Sequence, residues 1–259
     1  MRKLASLFDL NGKVAVVTGG SRGLGLQIAR ALGEYGASLV LVARKADELR
    51  ETCAALADEG IKARPCVADL SRPEVAALLV DEVMTNLGRI DILVNNAGAT
   101  WGAPAEDYPL DGWDKVMGLN VSSVFHLTRE TAKRAFLPQG GGVVLNLASI
   151  EGLVAHHPGR TGTVAYNTSK GAVISMTRAL AAEWGPRNIR VNAVAPGYFP
   201  SRMTAGTLDA HGADLVAQTP RGVLGGDCDL MGPSLLLVSD AGAHITGQTI
   251  VVDGGMTII

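Results

Sequence analysis

The sequence predicts an α/β fold, a doubly wound parallel sheet of seven strands with helices on both faces, formed as one domain over residues 1–259. Short apolar, β-branched runs alternate with longer stretches of helical period from Val14 onward, the pattern of strand-helix-strand units. Connections between the units are short, and no linker or low-complexity segment divides them. A glycine-rich turn follows the first strand, so ligands belong at the carboxyl edge of an open sheet. A closed eight-fold barrel would need about eight repeats, with its phosphate site late in the chain.

Val14 to Val17 reads as a buried strand, after which Leu24, Ile28, Ala31, Leu32 and Tyr35 recur at spacings of three and four and share one helix face. Gly36 stops that helix. Leu39 to Val42 is the second strand, Ala46 to Glu59 the next helix, and Ala63 to Val67 a third strand running out at Asp69. Residues 73–87 are helical by period, Asp91 to Val94 is the fourth strand, Trp113 to Phe136 one long helix, and Val143 to Leu147 the fifth strand. A helix from Val164 to Trp184 leads to the sixth strand, Arg190 to Val194, and Thr249 to Val252 closes the sheet.

Lysine and arginine number 23 against 25 aspartates and glutamates, a net charge of −2 that attracts neither nucleic acid nor an anionic membrane. Three scattered cysteines, Cys53, Cys66 and Cys228, support neither a disulfide framework nor a zinc cluster. No run approaches the roughly 20 apolar residues of a membrane span, and Asp9, Asn11 and Lys13 interrupt any secretory core. A cytoplasmic protein is expected, with no metal and no nucleic-acid or membrane partner.

Thr18-Gly19-Gly20-Ser21-Arg22-Gly23-Leu24-Gly25 joins the first strand to the first helix. Backbone amides and the positive end of the helix dipole converge there, which suits a phosphate, and glycines allow the close approach. A glycine turn without a ligand has the same local pattern. The second strand ends in Ala43-Arg44, where an acid would bond an adenosine ribose hydroxyl. Arg22 and Arg44 together suit a 2′-phosphate, which implies NADP(H). The alternative leaves Arg44 and Lys45 solvated and lets Asp47 or Glu48 reach the ribose. Asp69, at the end of the third strand, can accept from an adenine amino group, and Asn95-Asn96-Ala97-Gly98 leaves room for a cofactor to pass; each is equally a plain turn.

Tyr166 and Lys170, four apart at the start of a helix, share one face. A phenol near pKa 10 is a poor base at neutral pH, and a fixed cation beside it favours phenolate. Ser149, closing the fifth strand, can bond a carbonyl on which negative charge develops. The Asn120 amide can hold a water that connects Lys170 to solvent. Taken singly such residues are ordinary packing; their joint order along one chain gives them weight.

In these residues the chain resembles the short-chain dehydrogenase/reductase family, in its shorter single-domain branch with a Rossmann fold, over essentially its full length. Thr18 to Gly25 matches the glycine motif, Asn95 to Gly98 the NNAG motif, Asn120, Ser149, Tyr166 and Lys170 the catalytic tetrad, and Pro196-Gly197 the nicotinamide-side turn. The resemblance implies a homotetramer that interconverts a small-molecule ketone and alcohol. Tyr166 would act as acid and base, Lys170 would lower its pKa and bind the nicotinamide ribose, Ser149 would orient the carbonyl and Asn120 would hold the relay water. Expected cofactor contacts are Gly19, Ser21, Arg22, Gly23, Leu24, Gly25, Arg44, Asp69, Leu70, Asn96, Ala97, Gly98, Tyr166, Lys170, Pro196, Gly197, Ser201 and Met203.

The stretches Asn95 to Phe125 and Ala195 to Thr204 are similar to the family's 3-oxoacyl reductases, those of rhamnolipid biosynthesis included, which implies reduction of a 3-oxoacyl thioester or a similar small ketone. A sugar-acid, gluconate-type keto reductase is the alternative. A catalytically silent nucleotide-binding sensor is more distant, since binding alone needs no acid/base pair. Of the two basic positions that carrier-protein users tend to carry, Arg134 fits the first and Ala182 stands at the second, which argues against an acyl carrier protein. Ser201 replaces the usual threonine after Pro196-Gly197. Gly225 to Pro233 lacks the family's Pro-Glu-Glu helix start and reads as irregular, with Pro233 disfavouring an early helix. His156 and His157 read as solvated, Trp101, Tyr198, Phe199 and Met203 as pocket residues, and about 198–218 as a substrate lid.

Overall fold

The computed structural model describes residues 3–155 and 160–259, so His156 and His157 lie outside the described residues. Strand and helix alternate from β1 (Val14–Thr18) through α1 (Gly23–Glu34), β2 (Ser38–Ala43), α2 (Ala46–Asp58), β3 (Ala63–Val67), α3 (Val75–Leu87) and β4 (Ile92–Asn95). A long helical stretch, α4 (Leu110–Met117) to α5 (Ser123–Thr131) to α6 (Leu137–Gln139), leads to β5 (Gly142–Leu147). Then come α7 (Val164–Trp184), β6 (Ile189–Pro196), α8 (Ala205–Gln218), α9 (Met231–Val238) and β7 (Thr249–Val252). The strands form one seven-stranded sheet in the order β3-β2-β1-β4-β5-β6-β7, and every pairing is parallel. Strand order reverses between β1 and β4, which opens a crevice at the carboxyl ends of those two strands.

Successive residues of each strand face opposite sides, and both sides are covered. Ala15 and Val17 of β1 pack with Ile28 and Leu32 of α1, Leu49 and Leu56 of α2 and Leu237 of α9. Val14 and Val16 pack with Leu79 and Val83 of α3, Leu127 of α5 and Leu180 and Trp184 of α7. The β3 edge tolerates Pro65, which lacks a backbone donor, because an edge strand has one side free of ladder bonds. Among the described residues no helix is long and apolar enough to cross a membrane.

Two expectations are corrected. Trp113 to Phe136 is not one uninterrupted α-helix: π-type segments, Gly118–Ser122 and Ala132–Phe136, separate α4, α5 and α6. A π turn inserts a residue without altering composition, so hydrophobic period does not announce it, and such turns often mark functional sites. The stretch from Gly225 to Pro233 is irregular only up to α9, which starts at Met231 with Pro233 inside its first turn, where the missing N–H costs no helical bond. Gln27 of α1 secures the approach, its Nε2 donating to the Gly226 carbonyl at 3.0 Å and its Oε1 accepting from Leu230 N at 2.7 Å.

Candidate active site

Thr18, the last residue of β1, fastens the two sides of the crevice. Its hydroxyl accepts from the N–H groups of Asn96 and Ala97 at 2.9 and 3.0 Å and donates to the Val94 carbonyl at 3.2 Å. Asn96 Nδ2 donates to the carbonyls of Thr18 at 2.8 Å and Gly19 at 3.1 Å. That amide explains the spacing of the glycine turn. A Cβ on Gly19 would stand 2.6 Å from Asn96 Nδ2, and one on Gly25 would strike both the same nitrogen and the Gly19 carbonyl. Gly23 starts α1 at φ +55°, a conformation that favours glycine, and space is open beside it. Ser21 is held through its carbonyl, which accepts from Thr52 Oγ1 at 2.8 Å, and Leu24 packs against the core.

Arg22, Lys45 and Arg202 converge on one carboxylate. Glu48 accepts from Arg22 Nη1 at 2.5 Å, Lys45 Nζ at 3.0 Å and Arg202 Nη1 at 3.4 Å. Arg44 is exposed at the end of β2, and its charge helps hold the Asp69 carboxyl below the usual range, after the bonds that carboxyl receives from Ser71. The Asp69 Oδ1 accepts from Ser71 Oγ at 2.8 Å and from Ser71 N at 3.1 Å, so one oxygen closes a turn. Leu70 is partly buried and packs against the core. Asn95 points into the interior, where its Nδ2 donates to Thr128 Oγ1 and Asn146 Oδ1 at 2.9 Å each. A helix N-terminus with no acid in its first turn, flanked by cations in excess of carboxylates, is chemistry that fits a phosphorylated dinucleotide.

Farther along the same edge, Ser149, Tyr166 and Lys170 come together. Ser149 follows β5 and is 7% exposed; its Oγ accepts from Glu151 N at 3.2 Å, and its hydroxyl stands beside the Tyr166 phenol. Lys170 is 6% exposed, and its Nζ donates to the Leu147 carbonyl at 2.6 Å and lies 5.5 Å from the centre of the Tyr166 ring. Gly152 lets the turn after Ser149 press on α7, since a Cβ there would stand 2.6 Å from the Lys170 carbonyl carbon. Burial pushes the Tyr166 phenol up to about 12; the Ser149 hydroxyl opposes this, and the Glu151 charge adds to it. Burial likewise pulls Lys170 down to about 8. Desolvation is the largest cause of the rise in the phenol, and Lys170 is not among the groups that shift it in this structure.

Asn120 is tied to the protein on both sides of the site. Buried in the first π segment, it donates from Nδ2 to the Ala99 carbonyl and to Ser169 Oγ, both at 2.9 Å, and accepts from Ala99 N at 2.8 Å. Both amide hydrogens are thus committed to joining the segment after β4 to α7. Pro196 ends β6, Gly197 N donates to the Val252 carbonyl at 2.9 Å, and a Cβ on Gly197 would crowd Asp253 at 2.8 Å. Ser201 Oγ and Thr204 Oγ1 are 2.9 Å apart and close a turn, while Met203 is exposed. Gly98 lies against Asn120 Oδ1.

A polar group beyond Tyr166 went unread in the sequence. Tyr198 OH donates to Glu151 Oε1 at 2.9 Å and accepts from Arg160 Nη1 at 3.4 Å, and Arg160 Nη2 donates to Gln218 Oε1 at 2.9 Å. Asn167 Nδ2 donates to Glu151 Oε2 at 2.9 Å. Burial first, and then Glu151, push the Tyr198 phenol up. The signal available was Glu151 two residues after Ser149 and Asn167 next to Tyr166. Lys115 Nζ lies 5.3 Å from the Trp101 ring centre, while Phe199 is buried in the core. Arg134 is spent on Glu130 and Asp81, at 2.8 Å each.

The family model described as enoyl-(acyl carrier protein) reductase matches residues 19–257. The rhamnolipids biosynthesis 3-oxoacyl-[acyl-carrier-protein] reductase of Pseudomonas aeruginosa is 40% identical over 254 residues, 96% of this chain and 97% of that protein. A crystal structure of a short-chain type dehydrogenase/reductase from Mycobacterium marinum superposes with a TM-score of 0.94 at 37% identity, covering 99% of this chain and 100% of that one. The gluconate 5-dehydrogenase of Burkholderia cenocepacia, solved in complex with NADP and tartrate, gives 0.93 at 33% identity over 99% and 100% of the two chains. By fold, ordered motifs and full-length similarity, the chain belongs to the short-chain dehydrogenase/reductase family of oxidoreductases.

Proposed function

We propose that this chain interconverts a ketone and a secondary alcohol with NADP(H). The observation that carries this reading is the grouping of Ser149, Tyr166 and Lys170 on the sheet edge that also bears the glycine turn. When bound, the nicotinamide supplies or takes up the hydride. Ser149 and Tyr166 hydroxyls bond the carbonyl oxygen, so the charge that grows there meets two fixed donors. Tyr166, kept protonated by burial, gives its proton to that oxygen, and the Lys170 ammonium stabilises the phenolate left behind. Asn120 holds the segment carrying Gly98 in place. Gly19, Ser21 to Gly25, Asn96 to Gly98, Asp69, Pro196, Gly197, Ser201 and Met203 line the cofactor, and Arg44 takes the 2′-phosphate. The bound NADP of the Burkholderia enzyme supports that choice.

For the substrate, the wall made by Glu151, Asn167, Tyr198, Arg160 and Gln218 favours a hydroxylated keto acid. Its paired donors and acceptors match hydroxyls and a carboxylate better than an acyl chain. A 3-oxoacyl thioester is the second reading, supported by the 40% identity to the Pseudomonas reductase. The segment 198–218, which contains α8, closes over either substrate. The free edge of β7, with Val251, Ile258 and Ile259 exposed, supports assembly with further copies as a homotetramer, and the composition supports a cytoplasmic enzyme. Loss of NADPH absorbance over keto sugar acids and short 3-oxoacyl thioesters decides the substrate. The larger kcat/KM is expected for the keto acids; a larger value for the thioesters reverses the order, and no turnover of any ketone rejects the enzyme.

A further inference from the structure

We infer that Arg202, on the turn leading into α8, is a ligand of the NADP(H) 2′-phosphate, and that Glu48 is the carboxylate it exchanges for that phosphate. The inference rests on NADP(H) being the cofactor. Arg22, Lys45 and Arg202 reach Glu48 from three segments that only the fold unites: the glycine turn, the start of α2 and the turn after β6. A single carboxylate under three cations, with Arg44 exposed nearby, leaves positive charge unmatched. A 2′-phosphate, with a charge of about −1.5 to −2 near neutral pH, matches it where a ribose hydroxyl does not.

Arg202 is the cation of the three best placed to move. At 3.4 Å its bond to Glu48 is the longest, and its side chain is 71% exposed. Its root is fixed. Thr204 Oγ1 donates to the Phe199 carbonyl at 2.6 Å, Thr204 N donates to Ser201 Oγ at 3.2 Å, and Phe199 is buried. A firm turn with a free guanidinium at its tip can change partner without unfolding. Because that turn opens into α8, capture of the phosphate tethers the start of α8 to the adenosine end. NADH, lacking the phosphate, leaves Arg202 on Glu48. Glu48 itself stays ionised, held below the usual carboxylate range by Lys45 first and by the two arginines.

Calorimetric binding of 2′,5′-ADP and 5′-AMP to the full chain tests this without turnover. Arg202→Ala is expected to weaken 2′,5′-ADP about five- to tenfold, as loss of one solvent-exposed charge-assisted bond would, and to leave 5′-AMP unchanged. Glu48→Gln is expected to tighten 2′,5′-ADP by a few fold, since a competing carboxylate is removed, and to leave 5′-AMP unchanged. 2′,5′-ADP should also slow amide exchange at 203–208 in the parent and fail to do so in Arg202→Ala. If Arg202→Ala binds 2′,5′-ADP as the parent does while the parent still prefers it to 5′-AMP, the inference is overturned and NADP(H) stands. Equal parent affinities for the two ligands overturn the cofactor reading itself.

Discussion

The Lys170 ammonium donates to the Leu147 carbonyl at 2.6 Å while standing 5.5 Å from the centre of the Tyr166 ring. One lysine is thereby anchored to β5 and aimed at the phenol, and its burial has a measurable cost. Its folded pKa of about 8 lies below the ordinary 10.5. Below pH 8 both folded and unfolded chains carry the proton and the penalty is complete. From pH 8 towards 10.5 the unfolded chain binds more protons, so stability gains with rising pH. Lys170→Met lacks this dependence. Its stability relative to the parent should be more favourable at pH 7 than at pH 9.5 by on the order of 2 kcal/mol, read from denaturant unfolding at the two pH values. A difference independent of pH would show that Lys170 is not buried as a cation.

Gly152 is where the turn after Ser149 meets the main chain of α7. Gly152→Ala must separate them, displacing Ser149 from Tyr166. A shift of about 1 Å at such a site costs roughly a hundredfold in kcat. NADPH affinity, set at the other end of the crevice, should stay within about twofold. Steady-state kinetics paired with NADPH fluorescence titration separates the two effects.

Asn120→Ala removes three hydrogen bonds and takes the side-chain partner from both backbone groups of Ala99, while Ser169 Oγ keeps its bond to the Tyr166 carbonyl at 2.7 Å. The expected loss is about 2–4 kcal/mol, seen as a fall in Tm on the order of 10 °C. If the side chain served only to hold a water, Tm would hardly move.

Arg44→Ala should weaken NADPH by about ten- to a hundredfold, the worth of a charge-assisted bond, and leave NADH nearly unchanged. The NADPH preference of the parent should fall with added salt, because the cations around Glu48 and Arg44 are largely exposed. Equal parent affinities for the two cofactors would contradict the assignment.

Strand-helix alternation made the seven strands legible, because short, mostly apolar runs stand between stretches of helical period; β3, α7 and β7 fall on the predicted residues. Tyr166, Lys170, Ser149 and Asn120 were legible as types in a fixed order, and the fold gathers them at one edge. What the sequence hid were quantities set by the interior. The phenol's rise to about 12 follows from burial, which no spacing reports. The commitment of the Asn120 amide depends on Ala99 and Ser169, brought together by folding. The contact of Glu48 with Arg202, 154 positions away, is likewise set by the fold and by no local pattern.

The sharpest experiment is single-turnover reduction of a responsive ketone by Tyr166→Phe, set beside NADPH binding by the same variant. Phenylalanine keeps the ring and removes the proton, so the rate of the chemical step should fall at least about a hundredfold with NADPH affinity held within about twofold. Reduction at a rate within about threefold of the parent would mean that the proton comes from elsewhere and that the grouping with Ser149 and Lys170 is not the seat of the reaction.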